Sequence, residues 1–281
     1  MDSSWSSGNI RKIKNMMEKE QKIDLTGITF CIPIRIESFY RIQNLKALLR
    51  YLNRFIESNF IILEASAESN FENDMEIHSI RYLFVKDDAI IFHRTKYINQ
   101  MLSQVQTPYA AIWDTDAIAP IKQIEKAYLS LRDNKHTLIY PFSGAFIALN
   151  ELISMCFYKS IDINTISSAY LPQFFPYGFY SVGGAYMVDV RKYLRAGGEN
   201  EHFYGWGPED AERNARIQIL ELGVTKIDGP MYHLFHTRGI NSIDSNRENG
   251  LNNKKEFCKI CGMSTSELKN YIKTWDWNKT I

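Results

Sequence analysis

The sequence predicts an α/β fold with a mostly parallel central sheet flanked by helices, on three observations. Several short, nearly continuous apolar runs are rich in isoleucine, which suits strands buried on both faces. Amphipathic helical patterns alternate with these runs. With 281 residues, 45% of them hydrophobic, the chain can also build a substantial core.

The elements follow in order. "ITFCIPIRI" (28–36) reads as the first strand, and Leu45, Leu48, Leu49, Leu52 and Phe55 then share one face of a long helix. "NFIILEAS" (59–66) and "IRYLFV" (80–85) are further strands, "HRTKYINQMLSQV" (93–105) is a helix, and "PYAAIW" (108–113) is the strand that delivers Asp114 and Asp116. Next come a helix over 121–132, the apolar run "TLIYPF" (137–142) and a second apolar helix near 146–157. An aromatic stretch from Tyr170 to Tyr180 precedes "SVGGAYMVDV" (181–190) and "YGWGPEDAERNARIQILELG" (204–223). From about residue 241 the composition turns polar, and Ser264 to Glu267 offers a capping box for a last short helix. The expected organisation is a basic helical or linker segment over 1–24, a main domain over 25–240 and a polar, helical tail over 241–281, read as an appendage.

The net charge is +1, so the chain lacks the basic field of a nucleic-acid binder, and nucleic acid is not an expected partner. No stretch reaches the roughly 18 consecutive apolar residues of a membrane span, and the N-terminus has no secretory h-region; a cytoplasmic protein is expected. Ile10, Ile13, Met17 and Ile23 stand among lysines as in a weakly amphipathic basic helix, which would touch the inner face of the membrane peripherally. A surface helix or linker is the plainer reading. The four cysteines are too few for a disulfide scaffold, and the lone "CKIC" (Cys258, Cys261) lacks the other ligands of a structural zinc.

Three short patterns carry chemistry. In an extended chain residues i and i+2 point the same way, so Asp114 and Asp116 would place two anions together at a strand end. Such a pair needs a shared cation, and a divalent metal bridging to the phosphates of a nucleotide would supply it. A strand cap followed by a turn is the alternative. In "GWGPED" Pro208 sits where a helix begins, with Glu209 and Asp210 in its first turn. These carboxylates either complement the helix dipole or, beside the flat ring of Trp206, form a sugar platform and a base. Trp206 between Gly205 and Gly207 implies a mobile, close-approach backbone. His233 and His236 could complete a metal site with the aspartates; regular strand geometry would send them to opposite faces, so one ion can take both only where the backbone is irregular.

In this order, "IPIR" (32–35), "FHRTKYIN" (92–99), "DTD" (114–116), "VGGAY" (182–186), "GWGPED" (205–210) and "HLFH" (233–236) resemble the glycosyltransferases of the GT-A fold, most closely the β-1,4-galactosyltransferase group. The resemblance spans about 28–240 and implies the GT-A, Rossmann-like nucleotide-diphospho-sugar transferase fold for the 25–240 domain. It further implies that Pro33, Arg35, Arg94, Asp114, Gly184 and Trp206 serve a UDP-sugar donor, and that Trp206, Glu209 and Tyr180 serve a carbohydrate acceptor. Asp116 and His236, with His233, would bind Mn2+ or Mg2+. Asp210 would be the general base, with Glu209 beside it. The chain departs from the family at Glu37, where the family has an arginine, at Pro208 in place of a glycine, and at His233 in place of a metal-binding methionine.

The expected function is an inverting, metal-dependent transfer of a sugar of the galactose or N-acetylhexosamine class from a UDP-sugar to a carbohydrate hydroxyl. Two alternatives stand beside it. One is a retaining enzyme like the polypeptide N-acetylgalactosaminyltransferases, against which "DTD" argues because those carry D-x-H. The other is a sugar-nucleotide or carbohydrate-binding module without turnover.

Overall fold

The structure, a computed structural model, describes residues 21–74, 77–167, 180–242 and 246–279. Ile10, Ile13 and Met17 of the N-terminal segment lie outside the described residues, whereas Ile23, expected on the same amphipathic helix, opens a strand instead, paired with Ile56; of the aromatic stretch after Tyr170, Tyr180 alone is described.

The first apolar run becomes β1 (Ile23–Ile34), and the helix with the leucine face becomes α1 (Phe39–Phe55). Its Leu45, Leu48, Leu49 and Leu52 are buried, as the spacing predicts. The chain passes straight from α1 into β2 (Ile56–Ser66), then β3 (Ile80–Lys86), α2 (Arg94–Leu102) and β4 (Tyr109–Trp113). A two-residue strand β5 (Ala117–Ile118) and α3 (Ile121–Arg132) follow. "TLIYPF" supplies only the short β6 (Leu138–Tyr140).

The region near 146–157 differs from expectation. It is β7 (Phe146–Ala148), a break, and α4 (Glu151–Ser160), because the side chain of Asn150 caps the helix by accepting from the Ile153 amide. An apolar run of this length reads equally well as strand or helix, and the cap decides. Then come α5 (Asn164–Ser167), β8 (Ala185–Asp189), α6 (Val190–Arg195), α7 (Glu209–Ile219), β9 (Val224–Lys226) and β10 (Met231–His233). The tail forms α8 (Arg247–Cys261) and α9 (Thr265–Ile272), the latter opened by the expected capping box of Ser264 and Glu267.

Among the described residues seven strands form one sheet in the order β3-β2-β1-β4-β8-β6-β9. It is mostly parallel, as predicted; β8 alone runs against its neighbours β4 and β6. β1 is central, and its Phe30, Cys31 and Ile32 are fully buried, the burial on both faces that its unbroken apolar run predicts. Because β8 is reversed, its first residue, Ala185, pairs with the last residue of β4, Trp113. The glycines before β8 therefore arrive at the carboxyl ends of β1 and β4.

A second, three-stranded sheet, β5-β10-β7, stands beside that edge. β10 pairs antiparallel with β5, so that His233 faces Ala117, the residue after Asp116. Nor does the tail hang free. α8 packs against α7, and its Asn253 is buried. No described helix is long and apolar enough to cross a membrane.

Candidate active site

A pocket of about 600 Å³ opens beyond the carboxyl ends of β1 and β4, where ligands bind in sheets of this kind. β1 brings Pro33 and Ile34 to it, β4 is followed there by Asp114 and Thr115, and Gly183 and Gly184 precede β8. Gly184 has φ +85°, and a Cβ there would lie 2.7 Å from the Phe146 ring, so the position demands glycine.

"DTD" is not extended. β4 stops at Trp113, and the Ala117 amide donates to the Asp114 carbonyl at 3.2 Å to close a turn. The turn sends the two carboxylates to different partners instead of side by side. Asp114 accepts from Arg94 Nη2 at 2.7 Å, and Asp116 from Arg41 Nη1 at 2.7 Å. Burial raises the Asp114 carboxyl above its ordinary value; Arg94 opposes this, while Asp116 and Asp210 add to it. Burial acts on Asp116 too, but His233, Arg41 and His236 outweigh it and hold that carboxyl low.

Asp116, 3% exposed, is the centre of a metal-ready group. One ligand atom each of Asp116, His233 and His236 lies within 4.8 Å of the others. The irregular backbone that two histidines on one ion require is present. β10 ends at His233, and the Leu234 amide then donates to the Asp116 carbonyl at 2.8 Å. Asn44 Nδ2 donates to the Phe235 carbonyl at 3.2 Å, and the Phe235 amide to Ser154 Oγ at 2.8 Å. This turns His236 back, 3.3 Å from Asp116 Oδ2, with the two imidazoles 5.1 Å apart between centroids. One carboxylate and two imidazoles suit manganese better than magnesium, which prefers oxygen ligands throughout.

Opposite stands the start of α7. Pro208 precedes its first turn, with Glu209 and Asp210 inside it, as expected. Asp210 Oδ1 accepts from Arg213 Nη1 at 2.8 Å and lies 3.9 Å from Arg94. Its Oδ2 faces Gly183 so closely that a Cβ there would lie 2.5 Å from it. Arg213 is itself fully buried and doubly bonded to Glu199 at 2.8 and 2.9 Å, and Tyr186 and Tyr193 also donate to Glu199. Burial would raise the Glu199 carboxyl, but Arg213 and the tyrosines pull it down to about 2. Burial and the adjacent Asp210 push Glu209 up to about 8, and its Oε2 is buried without a partner. For Arg94, burial disfavours the cation, yet Asp114 and Asp210 prevail and keep it charged. One of its guanidinium nitrogens, Nη1, makes no hydrogen bond although buried.

Trp206, 47% exposed, and Tyr180, 88% exposed, stand at the rim. The glycines around Trp206 serve shape. Gly205 has φ +74°, and a Cβ on Gly207 would lie 2.6 Å from Asn253. Asn253 Nδ2 donates to the carbonyls of Tyr204 and Trp206, both at 3.1 Å, so the loop is braced where mobility was expected. Arg35 lines the pocket, but its nitrogens serve the carbonyls of Ala65 at 2.8 Å and Ala89 at 2.6 Å and the carboxylate of Asp87. It holds the segment after β3 in place.

Several pocket residues carry no sequence signal. Arg41 lies 75 positions from Asp116, and Lys254 and Phe257 come from the tail. Arg213 and Glu199 look like ordinary surface charges until the fold buries them.

Residues 167–238 match the family model described as the N-terminal domain of galactosyltransferase. The matched segment is of glycosyltransferase type. The match contains "VGGAY", "GWGPED" and "HLFH", whereas "IPIR", "FHRTKYIN" and "DTD" lie outside it and reach the same pocket through the fold. No curated protein matches the chain. Among solved structures, the catalytic domain of Drosophila beta-1,4-galactosyltransferase 7 with xylobiose is 15% identical, with 85% of this chain and 82% of that one covered and a TM-score of 0.49. A mutant of the same enzyme with manganese, UDP-Gal and xylobiose is 16% identical, covering 80% and 78%, with a TM-score of 0.48. Glucosyl-3-phosphoglycerate synthase from Mycobacterium tuberculosis, with Mn2+, UDP and phosphoglyceric acid, is 12% identical, covering 94% and 85%, with a TM-score of 0.49.

Proposed function

We propose that the chain is an inverting glycosyltransferase that moves a sugar of the galactose or N-acetylhexosamine class from a UDP-sugar to a hydroxyl of a carbohydrate acceptor. One observation carries this reading. A single pocket joins Asp210, whose Oδ1 is held by Arg213 while its Oδ2 lies against Gly183, to His233 of the metal-ready group on its other wall. A base and a diphosphate site thus face the same space.

In this reading Pro33 and Arg94 hold the donor, Arg94 through Nη1, which makes no hydrogen bond, while Asp114 orients Arg94 and Arg35 shapes the wall. Gly184 lets the backbone approach, Trp206 offers its face to a sugar, and Tyr180 borders the acceptor entrance. Glu209, protonated up to about pH 8, donates a hydrogen bond to a sugar hydroxyl through Oε2, which has no hydrogen-bond partner. Asp210 Oδ2 takes the proton from the acceptor hydroxyl as its oxygen attacks the anomeric carbon and the bond to UDP breaks, work typically worth about 10² to 10⁴-fold. Holding acceptor and donor in line adds a proximity advantage. A divalent ion on Asp116, His233 and His236 would supply positive charge against the departing diphosphate. The catalytic unit is taken as 25–240, with the tail contributing Lys254 and Phe257 to the wall.

The test is UDP release from a panel of UDP-sugars with manganese, with and without saccharide acceptors, followed by the anomeric configuration of the product by NMR. Acceptor-dependent release with inversion is expected. Retention at the anomeric carbon rejects the inverting mechanism, and binding of a UDP-sugar without turnover on any acceptor favours a binding module.

A further inference from the structure

Arg41 stands against the rule for its position. It lies in the first turn of α1, a 17-residue helix with no acidic residue in that turn, where the helix dipole already places partial positive charge. A cation there needs an anion, and Arg41 Nη1 reaches Asp116 Oδ2 at 2.7 Å, the same oxygen that His236 Nε2 approaches at 3.3 Å. Arg41 also lines the pocket. A divalent ion and Arg41 therefore claim one carboxylate.

The charges at this end of the pocket show the consequence. Asp116 is matched by Arg41 and Asp114 by Arg94, so the two carboxylates are balanced by two guanidinium groups before any ion is counted. An ion bound to Asp116 brings two further positive charges within a few ångströms of Arg41, in a site of low effective dielectric where repulsion is strong. A diphosphate removes that repulsion, since it can accept hydrogen bonds from Arg41 while coordinating the ion.

We propose that Arg41 couples the two ligands, keeping the ion weakly bound alone and making ion and nucleoside diphosphate bind as one unit. This rests on the metal and donor sites proposed above. Coupling is reciprocal, so each ligand tightens the other by the same factor, within a usual range of about 5 to 150-fold.

The experiment is calorimetry of Mn2+ alone, of Mn2+ with UDP present, and of UDP with Mn2+ present, on the wild type, Arg41→Gln and Arg41→Lys. Arg50→Gln on the exposed side of the same helix controls for net charge, and His236→Ala shows that the ion measured is at this site. The wild type should bind Mn2+ far more tightly with UDP. Arg41→Gln should bind Mn2+ alone more tightly, by about 10-fold, yet bind UDP with Mn2+ more weakly, so that the coupling factor shrinks by about 10-fold or more. Arg41→Lys should stay near the wild type, and Arg50→Gln should change nothing. Opposite signs in one variant are the signature, because simple damage to the site weakens both ligands. If Arg41→Gln weakens both, alters neither, or behaves like Arg50→Gln while the wild type binds Mn2+ and UDP together, the inference fails and the site reading stands. If the wild type binds neither, or His236→Ala changes nothing, both fail.

Discussion

At the scale of single residues, the site separates its two acidic neighbours by environment. Asp210 lines the pocket with one oxygen fixed by Arg213 and the other against Gly183, whereas Glu209 is half-buried, with its Oε2 shut off from solvent, and is pushed up to about 8. Asp210→Asn keeps an acceptor oxygen for Arg213, which also retains Glu199, so stability should change little. If Asp210 is the base, kcat should fall by about 10² to 10⁴-fold, or roughly 3 to 5.5 kcal/mol of barrier. Transfer rate at saturating substrates, read beside the melting temperature of the variant, checks this. Near-normal turnover with a lowered melting temperature would reject the base.

Glu209 gives a second prediction, in stability. Its carboxyl is raised in the fold from an ordinary 4.5 to about 8, so between those values the folded state holds a proton that the unfolded chain has lost. The stabilisation is full below about pH 4.5 and disappears as pH rises through about 8. Glu209→Gln cannot titrate and should flatten the decline in this window, gaining on the wild type as pH rises. Parallel melting curves of the two proteins from pH 5 to 8.5 would rule out the raised carboxyl.

At the scale of elements, the tail helix α8 acts on the site from behind. Asn253 donates to the carbonyls of Tyr204 and Trp206 and accepts from the Tyr204 amide at 3.2 Å. Asn253→Ala removes these three hydrogen bonds and should cost about 1 to 3 kcal/mol of stability. Because the loop carries Trp206 and leads into Glu209, KM for the sugar ligands should rise as well. Denaturant unfolding and steady-state kinetics on the same variant measure both, and a loss of stability with unchanged kinetics would confine Asn253 to packing.

At the scale of the whole molecule, the pocket is assembled from β1, β4, the approach to β8, α7, β10 and α8, so a ligand there ties distant parts of the chain together. A UDP-sugar with manganese at about 100 times its dissociation constant should add about 2.7 kcal/mol of stability. Asp116→Ala should lose most of that gain in a thermal-shift measurement while folding on its own, since the carboxylate serves the site more than the core. An equal gain in wild type and variant would remove Asp116 from the metal group.

The sequence by itself determined the layers of the fold, because apolar runs and amphipathic faces are local patterns that report burial directly. It also marked the acidic, histidine and glycine motifs, whose residue types are costly unless something uses them. Only the tertiary structure decided how these parts meet. The reversed β8 brings Gly183 against Asp210, and the β5–β10 pairing sets His233 beside Asp116. The turn after Trp113 divides the two aspartates between Arg94 and Arg41, which no spacing could show. Nor could composition reveal the tail's role, since Asn253, Lys254 and Phe257 gain their meaning from α8 lying against α7. A buried charge is matched by whatever group the fold brings within a few ångströms, and that distance is set by packing across the whole chain.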